Sequence, residues 1–378
     1  MKPSLTVLFC MVLLPATCQE SDNTRAADIG LYVGVLDTGP LNMITDVDGV
    51  RVGHTTRIEQ GGIRTGVTAI LPHDGNLFLD KVPGAVYCYN SFGKMAGSLQ
   101  VEELGNIETP VVLTNTLNVG TAVEAVVSYM LSLDDMENVR SVNALVGETN
   151  DGYLNDIRGR HVTAADVVEA ITSALGGHVG EGNTGAGTGT ISFGYKSGIG
   201  TASRLTGPIG DREYTVGVMV QSNFGRDLLI NGIPYTAEDE VFEREEDGSA
   251  MIVIATDAPL CHRNLKRMAK RSFAGMARTT AFMSNSSGDF AIAFSTAYTI
   301  PHRGEAHVGG VPDIVANNQM NGLFRAVEEA TQEAIYNALL MARDMEGHMG
   351  RRAGAISSNR VRELLKHHNM YRENKYDQ

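Results

Sequence analysis

Glu243-Arg244-Glu245-Glu246-Asp247-Gly248-Ser249-Ala250-Met251-Ile252-Val253-Ile254-Ala255-Thr256-Asp257 is the stretch that organises this chain. An acidic, polar run stops at Gly248, and an apolar run rich in β-branched residues begins just after Ser249. Residues 251–255 have the length and composition of a strand buried on both faces. Ser249 therefore stands where an exposed loop enters a core. Read locally, Gly248-Ser249 is ordinary turn chemistry ahead of a strand. The second reading is a chain cut between Gly248 and Ser249, which leaves Ser249 as an N-terminal nucleophile. Its hydroxyl must approach the preceding carbonyl closely, and a residue without Cβ at 248 permits that approach. The freed α-amine has a reference pKa of roughly 7.7–8.0, so it can serve as the base without a histidine.

Composition narrows the function. A chain of 378 residues, 43% hydrophobic and 20% charged, can bury a large core. The formal net charge of −13 lacks the basic footprint that phosphates require, so no nucleic-acid partner is expected. The absence of Trp weakens sugar-stacking and aromatic-cage readings. Residues 1–18 combine Lys2, an apolar run over 5–14 and small residues before Gln19, the pattern of a secretory signal peptide. A lipid-anchored Cys18 is the lesser alternative. That run is too short to span a bilayer, and no other segment is long enough. The mature protein is thus expected to be secreted or periplasmic, without membrane association. Cys10 and Cys18 fall in the leader, and the remaining Cys88 and Cys261 are too few for a disulfide framework. They could pair or stay as thiols.

Along the chain, strand-like runs at 66–71, 84–88, 110–115, 188–195, 201–205, 214–222 and 290–295 come in blocks with helical stretches. The helices are expected over 121–133, 162–175, 259–283 and 320–345, with Thr163 as an N-cap and Gly176-Gly177 as a stop. There is neither a repeat nor a linker. One α+β domain over residues 26–348 follows, of the layered αββα kind. Residues 349–378 form a basic tail, whose 359–370 segment reads as a short amphipathic helix, solvated or frayed, or a subunit contact.

Several motifs fail on context. Gly180-Glu181-Gly182-Asn183-Thr184-Gly185 spells a dinucleotide fingerprint, but no buried strand precedes it and no helix follows, so it reads as a flexible glycine loop. Residues 189–197 imitate a phosphate loop until Tyr195 intrudes. His302 and His307 do not have the spacing of a zinc helix, and no metal is expected. No Gly-x-Ser-x-Gly elbow exists. Polar clusters at strand ends remain: Ser284 to Asp289, Gln221 to Gly225, and Gly147 to Asp156. Each alone is turn capping. Together they could supply the hydroxyl, amide donor and carboxylate that an N-terminal serine lacks.

These stretches resemble the DmpA family, the L-aminopeptidase/D-esterases and β-peptidyl aminopeptidases. The resemblance rests on Asp247-Gly248-Ser249, residues 254–260, Ser287-Gly288-Asp289 and residues 293–297. Residues 45–54, 113–116, 151–156, 198–204 and 328–334 match in the same order. It implies a four-layer αββα sandwich made from a self-cleaved precursor, with an α chain ending at Gly248 and a β chain starting at Ser249. It further implies Ser249 as nucleophile, Ser287 bonded near it, and Asp289 orienting Ser287 and the new amine. Asn223 would be the oxyanion donor, Tyr153 would steady the nucleophile, and Glu148 would bind the substrate's amino group. No cofactor is implied, and the cleaved pairs would assemble into homo-oligomers. The expected substrates are short peptides, amides or esters. An acyltransferase on the related ornithine-acetyltransferase scaffold is the first rival, although those resemble this chain with threonine as nucleophile. A non-catalytic secreted binding protein is the second. Asn285-Ser286-Ser287 is a glycosylation sequon that is expected to go unused, since a glycan would crowd the site.

Overall fold

The structure is a computed structural model that describes residues 24–235, 248–302 and 313–373. The leader, the acidic run up to Asp247, and His307 lie outside the described residues. The first half contains strands β1 (Arg51–Glu59), β2 (Ile63–Leu71), β3 (Asp80–Ser91) and β4 (Met95–Ala96). Helix α1 (Ser98–Leu104), strand β5 (Val111–Asn115), helix α2 (Val119–Leu131), strand β6 (Leu145–Thr149) and helix α3 (Ala164–Thr172) follow. The second half has β7 (Ile199–Ile209), β8 (Arg212–Asn223), β9 (Gly248–Thr256), α4 (His262–Ala277), β10 (Ser287–Ser295), α5 (Asn321–Leu340) and α6 (Ser358–His367).

Two sheets stack face to face. The first runs β1-β2-β5-β6-β4, and the second β7-β8-β9-β10-β3 with two short strands added on β3. Most pairs are antiparallel. The exceptions are β5 with β6 and β9 with β10, and each parallel pair needs a crossover helix. Helix α2 makes the first crossover and α4 the second.

The period of two along each strand sorts side chains into three apolar layers. Val52, Ile70, Leu113 and Leu145 of the first sheet meet Met219, Met251, Val253, Phe290 and Phe294 of the second. The outer face of the first sheet carries Val67, Ala69, Val112 and Val146 against α2 and α3. The outer face of the second carries Ile252, Ile254, Ala291 and Val218 against α4 and α5. The order is helices, sheet, sheet, helices: the expected αββα sandwich.

Several boundaries differ from the sequence reading. Thr163 does cap α3, in a capping box with Asp166. The helix ends at Thr172, however, because Leu175 exchanges two backbone hydrogen bonds with Val52 of β1 (3.0 and 3.1 Å). Helix α4 starts only at His262, after extended Cys261, and α5 stops at Leu340 because Met345 pairs with Ala353 in a small hairpin. The glycine loop near 180–185 is packed, not flexible. Gly182 pairs with Ile199, and a Cβ at Gly182 would come within 2.1 Å of the Met341 carbonyl oxygen. Glycine is needed there for close backbone approach. The tail helix α6 is docked instead of solvated or frayed. Val361 and Leu365 lie four residues apart on one face, fully buried in the cluster that holds Ile29, Leu31 and Leu340. Cys88 and Cys261 are free thiols.

Candidate active site

Strand β9 alternates without a break. Met251, Val253 and Ala255 face the first sheet, and Ala250, Ile252 and Ile254 face the helices. Ser249 therefore projects between the sheets, at the end of its strand where they part. Asn223, the last residue of β8, is its register partner and shares its face. The Asn223 amide Nδ2 donates to Ser249 Oγ at 3.1 Å and to the Asn150 carbonyl at 2.9 Å. Its Oδ1 accepts from the Ile191 amide at 3.2 Å, which sets the orientation of the group. The Asn150 backbone N–H also donates to Ser249 Oγ, at 3.3 Å. Asn150 follows β6 of the opposite sheet. The hydroxyl thus receives one donor from each sheet.

The other face of β9 carries different chemistry. In the parallel pairing with β10, Gly248 lies opposite Ser287 and Ser249 opposite Gly288. Ser287 and Asp289 flank Gly288 and point to the helix side, like Ala291 and Ala293. Ser287 Oγ donates to Asp289 Oδ1 at 2.9 Å. The other oxygen of Asp289 is buried without a hydrogen-bond partner among the described residues. Burial raises the Asp289 carboxyl to about 6, against the opposing effect of the Ser287 hydrogen bond. A Cβ at position 248 would come within 2.9 Å of Phe224 Cβ and 3.3 Å of Ser287 Oγ, so only glycine sits there without displacement.

A cleft of about 420 Å³ opens onto Ser249, lined by Gly248, Asn150, Glu148, Thr116, Lys94 and Phe92 among others. Glu148, on β6, is 3% exposed. Its Oε1 accepts from the Lys94 backbone N–H at 3.0 Å, and its Oε2 accepts from the Thr116 hydroxyl. The Lys94 ammonium stands 3.9 Å away. Burial pushes the Glu148 carboxyl above its ordinary range, while Thr116 and Lys94 oppose that rise. The site thus offers a buried carboxylate and a doubly hydrogen-bonded hydroxyl lining one cleft. This combination suits an amine-bearing acyl substrate.

Of the residues singled out from sequence, Gly248, Ser249, Asn223, Glu148, Ser287 and Asp289 gather around this strand end. Tyr153 is not among those lining the cleft. Its ring lies 5.2 Å from the Arg351 guanidinium and packs on Leu154, Ile191, Met345 and Ala353. Asn285 of the sequon is exposed, whereas Ser287 is buried. Three contributors were not singled out: Asn150, Thr116 and Lys94. Thr116 follows the strand predicted over 110–115, and Asn150 lies in the polar cluster from Gly147 to Asp156, which was the available signal. Lys94 had none. Among the described residues no group of three or more His, Cys, Asp and Glu could hold a metal ion.

Comparison with known proteins gives this geometry its context. Residues 42–353 match Peptidase family S58. The chain is 36% identical over 390 residues to a β-peptidyl aminopeptidase of Sphingosinicella xenopeptidilytica, covering 96% of each chain. A Pyrococcus horikoshii protein of known crystal structure is 44% identical, with a TM-score of 0.86 over 92% of this chain and 99% of that one. The L-aminopeptidase D-Ala-esterase/amidase of Ochrobactrum anthropi is 37% identical, with a TM-score of 0.82 over 92% and 99%. It is described as a prototype serine aminopeptidase and a variant of the Ntn-hydrolase fold. The fold, the strand-end serine with its two donors and these near full-length similarities agree, and the chain belongs to Peptidase family S58, as an aminopeptidase.

Proposed function

We propose that this aminopeptidase cuts itself between Gly248 and Ser249 and then uses Ser249 as an N-terminal nucleophile. The observation that carries the reading is the convergence of Asn223 Nδ2 and the Asn150 N–H on Ser249 Oγ. In processing, Oγ adds to the Gly248 carbonyl carbon, the C–N bond breaks, and an ester forms as the amine is released. Water then hydrolyses the ester and frees the hydroxyl. In turnover the α-amine takes the hydroxyl proton while Oγ attacks the substrate carbonyl, and later returns a proton to the leaving amine. The oxyanion forms one bond from a carbon attached to Oγ, within reach of the same two donors. Ser287 and Asp289, beside the new terminus, hold the amine. Glu148 takes the ammonium of the substrate, which restricts action to peptides, amides or esters with a free amino end. The name of the Sphingosinicella relative supports including N-terminal β-residues among the substrates.

In this reading residues 1–18 are removed on export, the enzyme works outside the cytoplasm, and cleaved pairs assemble into a homo-oligomer. The test is intact mass and N-terminal sequencing of purified protein beside a Ser249→Ala variant, with both assayed on amino-acyl p-nitroanilides. Two fragments, one starting at Ser249, with an uncut and inactive variant, are expected. A single uncut chain that is nonetheless active would overturn the mechanism.

A further inference from the structure

Behind the two donors lies a pair of buried charges that the reaction above does not use. We propose that Asp151 and Lys196 are positioning residues that together aim the Asn150 amide and the Asn223 side chain at Ser249. This rests on the reading of Ser249 as nucleophile.

Each member is wired to one donor. Lys196 is fully buried, and its ammonium donates to the carbonyls of Gly187 (3.2 Å), Thr190 (3.0 Å) and Ser197. All three of its protons are used, so the loop from 187 to 197 is gathered around one positive charge. Thr190 immediately precedes Ile191, whose N–H fixes Asn223 Oδ1. In the same loop the Ser192 hydroxyl bonds the Ser222 hydroxyl at 2.7 Å and accepts from the Phe224 N–H at 3.3 Å. Asn223 is held between those two neighbours.

Asp151 is the residue after Asn150 and is 1% exposed. Its Oδ1 accepts from Asn155 Nδ2 at 3.0 Å. Its Oδ2 is buried with no hydrogen-bond partner among the described residues. The Lys196 loop rests directly on it, since a Cβ at Gly189 would come within 3.0 Å of Asp151 Cβ. The carboxylate favours the ammonium only through space, since the two make no ion-pair contact among the described residues. Burial disfavours both charges, raising Asp151 to about 7 and lowering Lys196 to about 7. A pair kept in the interior at that cost is weak evidence for stability, but it can fix one arrangement of its surroundings. Here the surroundings are the peptide of Asn150 and the clamp on Asn223. A donor displaced by about 1 Å can cost about a hundredfold in rate.

The experiment uses full-length enzyme and three variants: Asp151→Asn, Lys196→Met and the double substitution. Activity is expressed per Ser249 N-terminus, counted by sequencing, and thermal stability is measured alongside. Asp151→Asn keeps shape and the Asn155 contact, so it decides the matter even where Lys196→Met fails to fold. The expected result is a fall in kcat of at least tenfold in each single variant, with KM within twofold of the parent. In the double variant, which buries no unpaired charge, stability recovers while kcat stays low. Recovery of kcat together with stability, or an Asp151→Asn enzyme of parental kcat, would overturn the proposal. An active Ser249→Ala enzyme would instead remove the nucleophile reading beneath it, and the two failures are thereby distinguished.

Discussion

Replacing Asn223 with alanine tests the site at its most connected side chain. Asn223 is 2% exposed, and its side chain bonds Ser249 Oγ, the Asn150 carbonyl and the Ile191 amide. Two separable effects follow. Loss of one oxyanion donor costs about 10²–10³ in kcat, or about 2.7–4 kcal/mol of transition-state stabilisation. The Asn150 carbonyl and the Ile191 amide also lose a partner, at about 1–3 kcal/mol each where no water replaces it. Stability should therefore fall by roughly 2–6 kcal/mol on the same principle, and self-processing should slow, since it passes through a like oxyanion. The assay is p-nitroaniline release at saturating substrate, normalised to the number of free Ser249 N-termini. That normalisation keeps uncut chains from passing as slow enzyme. KM should change little, because the missing donor acts on the developing oxyanion and not on the bound amine. A kcat per free terminus within threefold of the parent would show that Asn223 only holds the fold, and the oxyanion argument would fail.

Two further outcomes follow from the carboxylates. Asp289 sits at about 6 against an ordinary 3.8, so the folded state gives up this proton later than the unfolded one, and stability present below pH 4 is lost as pH rises through 4–6. In an uncut Ser249→Ala background, Asp289→Asn should therefore be more stable at pH 8 by up to about 3 kcal/mol, with the gap closing by pH 4. Urea unfolding at the two pH values measures it, and a variant weaker at pH 8 would contradict the assignment of burial as the dominant cause. Glu148→Gln keeps the contacts to Lys94 and Thr116 in outline but removes the charge, so KM for free-amine substrates should rise roughly tenfold to a hundredfold with kcat nearly kept. Unchanged KM would move the amine-binding role elsewhere. Because burial raises the Glu148 carboxyl, the acidic limb of kcat/KM should lie above the ordinary carboxylate range and vanish in this variant.

The strand at 251–255 was legible because burial on both faces leaves no polar residue in it, and all five residues are indeed buried. The layers were legible for the same reason: blocks of short apolar runs and amphipathic helices can bury their faces only by stacking. Helix ends were less so. Residues 173–175 keep helical periodicity, yet Leu175 is claimed by a strand 123 positions earlier in the chain, and such a long-range pairing leaves no local mark. The glycine loop read as flexible because glycine signals freedom and close packing with the same letter; only the position of the Met341 carbonyl separates them. In the site, the side chains that contact Ser249 or flank its strand end could be named from motifs, whereas Thr116 and Lys94, which act only on Glu148, were not. Asn150 could not, because it contributes a backbone N–H and C=O that any residue carries.

The arrangement around β9 also explains why the base should belong to the backbone. A side-chain base for Ser249 would have to share the inter-sheet face with its hydroxyl. The groups in contact with Oγ are donors, Asn223 and the Asn150 amide, which can stabilise negative charge but cannot accept its proton, and the Glu148 carboxylate of the same cleft is engaged by the Lys94 N–H and the Thr116 hydroxyl. The nearby hydrogen-bonded pair, Ser287 and Asp289, stands on the opposite face of the sheet, on either side of the residue paired with Ser249. Groups on that side cannot reach Oγ directly, but they do flank the main-chain nitrogen of residue 249, which lies in the plane of the sheet between the two faces. Splitting the hydroxyl's partners from the carboxylate in this way is unproductive for a serine in mid-chain, whose nitrogen is an amide. It becomes productive once that nitrogen is an amine. The same division requires glycine at 248, because the face carrying Ser287 and Phe224 leaves no volume for a side chain there. Under the proposed mechanism, nucleophile, Ser287–Asp289 pair and glycine are thus one requirement that strand alternation imposes on a chain cut at this peptide bond.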